Sequence, residues 1–192
     1  MDILYTPRLE LVPITLPMIE AVWEGDRRRA ERLAEARLPE AWPGRALVER
    51  AFSADIEAVR RDPETRLWGD RLLIARDGGE RRVVGSVVFH GRPPDGIAEV
   101  GYGVEAESQG QGYATEGTAA CVEWALEQPG ILAVQATTLP WHRASLRVIE
   151  KLGMVKVDSR DHELLGELYV FEVRRGCERP ASATLSRPEL RP

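Results

Sequence analysis

The chain has few of the residues that carry metal-bound, covalent or charge-driven functions. Among 192 residues there are two cysteines, Cys121 and Cys177, and three histidines, His90, His142 and His162. Their spacing fits no metal-ligand set, and so few cysteines cannot staple a disulfide scaffold, so no metal is expected. Cys121 lies inside an apolar helical pattern, which reads as a small buried hydrophobe, not a nucleophile. A net positive charge is lacking as well. A formal net charge of −5 argues against nucleic acid as a partner, because broad binding needs a basic face to displace counterions from phosphates. No apolar run approaches the ~20 residues that cross a bilayer. The opening "MDILYTPRLE" has no basic segment followed by an apolar stretch, so it does not read as a secretion signal. No membrane association and a cytoplasmic location are therefore expected.

What is present is the composition of a globular domain, 43% apolar and 30% charged, at a length that supports one core. The domain is expected over residues 1–176. The remaining 177–192, "CERPASATLSRPELRP", holds three prolines and little apolar mass and is expected to be poorly ordered.

Apolar periodicity then orders the elements. "ILYTPRLELVPIT" alternates and reads as one strand. A helix follows Pro17, with Met18, Ile19, Val22 and Trp23 on one face and the run Arg27 to Arg32 among its polar positions, as a solvated face. After the Pro- and Gly-marked segment Leu38 to Ala46, where Trp42 reads as either core or pocket wall, a second amphipathic helix carries Leu47, Val48, Ala51, Phe52, Ile56 and Val59. It ends before Asp62-Pro63. Two β-rich runs around Asp77-Gly78-Gly79, followed by "IAEVGYGVE", predict a three-stranded antiparallel meander. A helix from Tyr113 and the nearly continuous apolar run "ILAVQATTL" make a βαβ unit with parallel strands. A short helix from Arg143 to Leu152, stopped at Gly153, precedes a closing hairpin.

The densest signal is "ESQGQGYATEG", Glu107 to Gly117, between a strand and a helix N-terminus. Uncapped backbone N–H groups and the helix dipole make such a junction an anion site. Gly110 and Gly112 allow close approach of a phosphate, and the small Ala114 keeps the first turn clear. A dinucleotide fingerprint needs glycine where Thr115 stands, and the next strand, Ile131 to Leu139, ends without an acidic residue for a ribose. A nucleoside-triphosphate loop needs a lysine that is absent.

The stretch does match Q-x-x-G-x-A through Gln109, Gly112 and Ala114. In this it resembles the acyl-CoA pyrophosphate loop of the GCN5-related N-acetyltransferases, the GNAT superfamily. "AEVGYGVEAE", "ASLRVIEKLGM" and "TPRLEL" resemble, in the right order, segments of the subgroup containing the ribosomal-protein-alanine N-acetyltransferases (RimJ/RimL-like). The resemblance implies an α/β acyl-CoA N-acyltransferase fold, a mixed, mostly antiparallel sheet of about seven strands with helices on both faces. It also implies acetyl-CoA as acyl donor and direct transfer to a primary amine, either a protein N-terminus or a small molecule. A second function class on the same fold is an acyl-CoA-binding sensor or interaction module. Either a monomer or a homodimer is compatible.

By the same resemblance, pantetheine lies where the strand containing Glu99 splays from the strand starting at Ile131, along Tyr102, Gly103 and Val104. A backbone N–H near Val104 is then the oxyanion donor. The pyrophosphate falls to Gln109, Gly110, Gln111, Gly112, Tyr113, Ala114 and Thr115. Glu99 is the candidate base, since partial burial raises a carboxylate pKa towards the useful range; its rival role is a cross-strand ion pair with an arginine. Ser145 is the candidate partner of the leaving sulfur, its rival role a helix-capping hydroxyl. His142 stands where the subgroup has an asparagine that touches the pantetheine arm, and Ile149 where many relatives have a tyrosine acid. The acceptor pocket is expected from the first two helices, the Leu38 to Ala46 loop and the last hairpin.

Overall fold

The computed structural model describes residues 2–40, 56–76 and 79–176. Eight strands form one sheet in the order β1-β2-β3-β4-β5-β6-β8-β7. They are β1 (Leu4–Tyr5), β2 (Leu9–Pro13), β3 (Arg71–Ala75), β4 (Arg82–Phe89), β5 (Ile97–Val104), β6 (Ala133–Thr138), β7 (Val155–His162) and β8 (Gly166–Arg174). Every neighbouring pair is antiparallel except β5 and β6, which are parallel. The meander, the βαβ unit and the closing hairpin all take the form their sequence patterns imply.

Among the described residues, six α-helices accompany the sheet. On one face lie α1 (Leu16–Trp23) and α2 (Arg27–Ala34), whose Met18, Ala21, Ala30 and Ala34 cluster with Leu72, Ile74 and Val83. On the other lie α5 (Tyr113–Glu127) and α6 (Arg143–Lys151), whose Ala120, Cys121, Ala125 and Ile149 cluster with Leu73, Phe89, Ala98, Val100 and Val134. Leu72 and Leu73 separate the two cores because adjacent strand residues point to opposite faces. The short α3 (Ile56–Arg61) and α4 (Pro63–Arg66) lead into β3. Asp62 caps α4 by accepting the Thr65 N–H at 3.2 Å, which is why Asp62-Pro63 separates the two helices.

Two expectations are corrected. The opening strand is a hairpin of two, β1 and β2: Thr6 accepts the Leu9 N–H on its hydroxyl at 3.0 Å and donates its own N–H to the Leu9 carbonyl at 2.9 Å. This turn interrupts an alternation that reads continuously in sequence. The first helix is likewise two. Gly25 takes a positive φ of 75° that ends α1, and Asp26 starts α2 by accepting the Arg29 N–H at 3.0 Å. The arginine run then forms the solvated side of α2, with Arg27 paired to Glu31 and Arg29 to Glu24. Leu47, Val48, Ala51, Phe52, Trp42, Asp77, Gly78 and the tail from Cys177 lie outside the described residues.

Buried charge is concentrated at the start of β3. Asp70 accepts the Phe89 N–H at 2.6 Å on one oxygen, while its second oxygen has no hydrogen-bond partner among the described residues. Burial pushes its carboxyl well above the usual range, against a smaller opposing effect of the Phe89 N–H. Arg71 is also buried. It donates to the carbonyls of Asp2 at 2.6 Å and Leu11 at 3.3 Å and lies over the Trp124 ring at 4.9 Å. Beside it Cys121 is fully buried, and burial pushes its thiol up to about 12, which removes it as a nucleophile.

Candidate functional site

The site begins where two strands part. β5 pairs with β4 along Val100 to Val104, yet its pairing with β6 stops at Glu99 and Gln135. The Glu99 carbonyl accepts from His90, and the Glu105 N–H donates to Val84, so odd-numbered residues of β5 bond towards β4. The N–H and C=O groups of Tyr102 and Val104 consequently turn to the other side, where β6 has diverged. Gln109 closes the far end by donating its side-chain amide to the Val104 carbonyl at 3.0 Å. The result is an open strand edge inside the sheet, able to take an extended ligand as an added strand.

This gap leads to the N-terminus of α5. The N-cap is Gly112, with φ of 88° and no side chain to cap the helix, so the first-turn N–H groups of Ala114 and Thr115 are left to an outside acceptor. An anion suits them, because the helix dipole adds partial positive charge at this end. The loop is stiffened from below. Gln109 is preceded by a short 3₁₀ turn (Ala106–Ser108), and Arg82 donates to the buried Ser108 hydroxyl at 3.0 Å.

The strongest restraint was not apparent in the sequence. Glu116, in the first turn of α5 and only 7% exposed, accepts the Thr6 hydroxyl at 2.6 Å and the Arg8 N–H at 3.0 Å on one oxygen. Its other oxygen takes the Arg8 guanidinium, at 2.7 Å from Nε and 2.6 Å from Nη2. Arg8 also donates to the Gln111 carbonyl at 2.8 Å and lies 4.9 Å over the Tyr113 ring. A Cβ on Gly112 would stand 3.3 Å from Arg8 Nη2. The N-terminal strand thus clamps the glycine loop. The available signal was an acid and an arginine in two separately noted segments, without anything local to pair them.

At the other wall of the gap, Ser145 stands in the first turn of α6. Its hydroxyl does not cap the helix; it lies 2.9 Å from the Tyr102 phenol oxygen, with either group able to donate, and the phenol is also placed to donate to the Ser145 carbonyl at 3.1 Å. Burial raises the Tyr102 pKa, with the Ser145 contact opposing it weakly, so the phenol stays protonated. His142 occupies the N-cap of α6, exposed and without a capping bond, its ring 6.2 Å from that of Trp141. Ile149 is buried in the core and offers no polar group.

Glu99 lies on the opposite face. Ala98 and Val100 point into the α5 core, so Glu99 between them points to the side of α1 and α2. Cross-strand neighbours continue a polar row from Glu99 to Gln135 and then Glu172. Gln135 donates to Glu172 at 2.8 Å, and Arg174 to the other Glu172 oxygen at 2.6 Å. Glu99 is half-buried, and among the described residues no arginine or lysine pairs with it. His90, just past the end of β4, places its Nε2 4.0 Å from where a Cβ on Gly101 would be. The arrangement therefore combines an uncapped helix N-terminus, an open strand edge, a hydroxyl pair at one wall and, at the apex, a carboxylate without an ion-pair partner among the described residues.

Comparison with known proteins agrees with this geometry. The family model described as an acetyltransferase (GNAT) domain matches residues 8–155. An uncharacterized N-acetyltransferase of Bacillus subtilis (strain 168), YjdG, is 26% identical over 156 residues, covering 81% of this chain and 90% of its own. The acetyltransferase (GNAT family) from Bacillus anthracis superposes with a TM-score of 0.59 at 20% identity, over 90% of this chain and 98% of that one. The ribosomal alpha-N-protein acetyltransferase RimL, solved with coenzyme A, superposes with a TM-score of 0.60 at 14% identity, over 90% and 98%. At such identities the structural likeness concerns the fold, while the family model spans most of the chain: the protein belongs to the GNAT acetyltransferase family.

Proposed function

We propose that this protein transfers the acetyl group of acetyl-CoA directly to a primary amine, a protein N-terminus or a small-molecule amine, in the manner of the ribosomal-protein acetyltransferase subgroup. The observation that carries the reading is the divergence of β5 from β6 beyond Glu99, opening onto the uncapped N-terminus of α5. The pyrophosphate would sit on the loop from Gln109 to Thr115, and the pantetheine arm along Tyr102, Gly103 and Val104. His142, exposed at the start of α6, would meet that arm from the other wall.

Acyl transfer requires a deprotonated amine, donors for the developing oxyanion and stabilisation of the departing thiolate. Glu99 accepts the ammonium proton, directly or through water. The Val104 N–H faces the carbonyl oxygen as negative charge develops, and Ser145 faces the sulfur. A free thiol titrates near ~8.5, so the leaving group needs only a hydrogen bond and not a strong acid.

The test is a panel of small amines and N-terminal peptides incubated with acetyl-CoA and read by free thiol. Amine-dependent thiol release that Glu99→Gln suppresses is expected. Coenzyme A binding seen by calorimetry with no release for any amine would sink the catalytic reading and leave a binding module.

A further inference from the structure

We propose that the Tyr102 side chain is a positioning residue for the leaving thiolate, holding the Ser145 hydroxyl so that its proton is presented to the sulfur. This rests on the reading of the gap as an acyl-CoA site. The two groups come from opposite walls, Tyr102 from β5 and Ser145 from α6, and meet at 2.9 Å. A helical serine ordinarily turns its hydroxyl back to a carbonyl of the preceding turn or to a cap. Here the phenol lies 2.9 Å from Ser145 Oγ and 3.1 Å from the Ser145 carbonyl, within donating distance of both. The carbonyl is also the helical acceptor of α6, and the single phenol proton is assigned to the closer Oγ.

Burial keeps the phenol in its neutral, donating form. A phenol that donates to Ser145 Oγ leaves the serine with its own single proton to give, and successive hydrogen bonds in one direction strengthen each other. The side chain one turn further along α6, Ile149, is buried and apolar, so the phenol reaches this helix from the sheet.

The balance of the step is closed without Tyr102 losing its proton. The amine lone pair forms the C–N bond, the C–S bond breaks, and its electron pair leaves on sulfur. Ser145 donates a hydrogen bond to that thiolate, which takes its proton from solvent, while the ammonium proton leaves through Glu99. Deprotonating a buried phenol to protonate a thiolate would run uphill. The tyrosine therefore orients and polarises.

Titration of the thiol of bound coenzyme A, followed by thiolate absorbance, tests this without an acceptor amine. The wild-type complex is expected to titrate below the free value of ~8.5, and Tyr102→Phe to raise that value by about one unit, tenfold in thiolate population. Other charges on the surrounding elements are Glu99 and Glu105 by β5, His142, Arg143 and Arg147 by α6, Arg8 with Glu116 at α5, and Lys156 with Tyr169 beyond β6. They are common to both proteins and cancel in the difference.

In turnover, Tyr102→Phe and Ser145→Ala should each lower kcat about tenfold with KM for acetyl-CoA within about twofold, and the double variant should lose no more than either single one. Additive losses, full kcat in Tyr102→Phe, or an unshifted bound-thiol titration would overturn the proposal. Phenylalanine keeps the ring, and an unchanged thermal unfolding midpoint checks that the fold is kept. Absence of coenzyme A binding by the wild type would overturn the acyl-CoA reading and this inference together, whereas binding with equal titrations would overturn this inference alone.

Discussion

The two sides of the β5 strand are built to opposite standards of restraint. On the α5 side, the glycine loop is held by Glu116, Arg8, Thr6, Arg82 and Gln109 through hydrogen bonds spanning as many as 110 positions of chain. On the α1 side, Glu99 has a half-buried carboxylate and no ion-pair partner among the described residues, although its row neighbour Glu172 has two donors. The difference fits the tasks proposed for the two sides. A backbone cradle works only if its N–H groups keep fixed directions, whereas a group that exchanges a proton loses its use if a permanent cation neutralises it.

The comparison is broken most forcefully at Glu99. Glu99→Gln should lower kcat/KM by about 100-fold, the lower end for loss of a general base, with the thermal midpoint unchanged because no ion pair among the described residues is removed. A midpoint lowered by several degrees would show Glu99 to be structural and erase the contrast. On the other side the order reverses. Glu116→Ala should cost about 2–3 kcal/mol in denaturant unfolding, since the partly exposed Arg8 and the hydroxyl of Thr6 lose a charged acceptor. It should raise KM for acetyl-CoA more than it lowers kcat; unaltered stability and KM would mean that the clamp is incidental.

Two glycines sharpen the point. Gly112→Ala and Gly25→Ala each place an L side chain at positive φ, a cost of about 1–2 kcal/mol. The Gly112 change also presses on Arg8, whereas nothing lies within 4 Å of a Cβ at Gly25. Both should lower stability by similar amounts, and only Gly112→Ala should weaken acetyl-CoA binding in calorimetry. Equal effects on binding would mean that the loss reflects global stability.

The smallest effect is expected far from the gap, at Asp70. Its folded pKa is raised, so the folded state retains a proton that the unfolded chain releases near ~3.9. The unfolded state then binds fewer protons, and stability from this group, fully present below that pH, is lost as pH rises towards the folded value. Asp70→Asn keeps an acceptor for the Phe89 N–H and removes the ionisation. The variant should therefore gain thermal midpoint over wild type at pH 8 relative to pH 4. A constant difference across that range would contradict the assignment.

Legibility in the sequence followed the range of the interactions. The meander, the parallel pair and the α5 and α6 helices could be read because alternation, 3.6-residue periodicity and turn glycines are written within a few positions of one another. Even the two corrected elements carried local signals, Pro7 beside Thr6 and the Glu24-Gly25-Asp26 break, which a continuous apolar pattern masked. Within the site, the glycine loop before α5 was readable from Gln109, Gly112 and Ala114. The partnership of Tyr102 with Ser145 was not, although both residues had been singled out. It spans 43 positions and depends on how α6 sits against β5.

By itself, the sequence determined the order of the elements and a glycine-rich strand-to-helix junction with an uncapped helix start. Positive φ at glycine and an uncapped helix start are local conformational demands that leave residues behind as their record. Only the tertiary structure decided where β5 parts from β6, that Arg8 holds Glu116 across 108 positions, and that among the described residues Glu172 has an arginine partner and Glu99 has none. Those are outcomes of register and packing between distant segments, and neither partner's residue type specifies its partner.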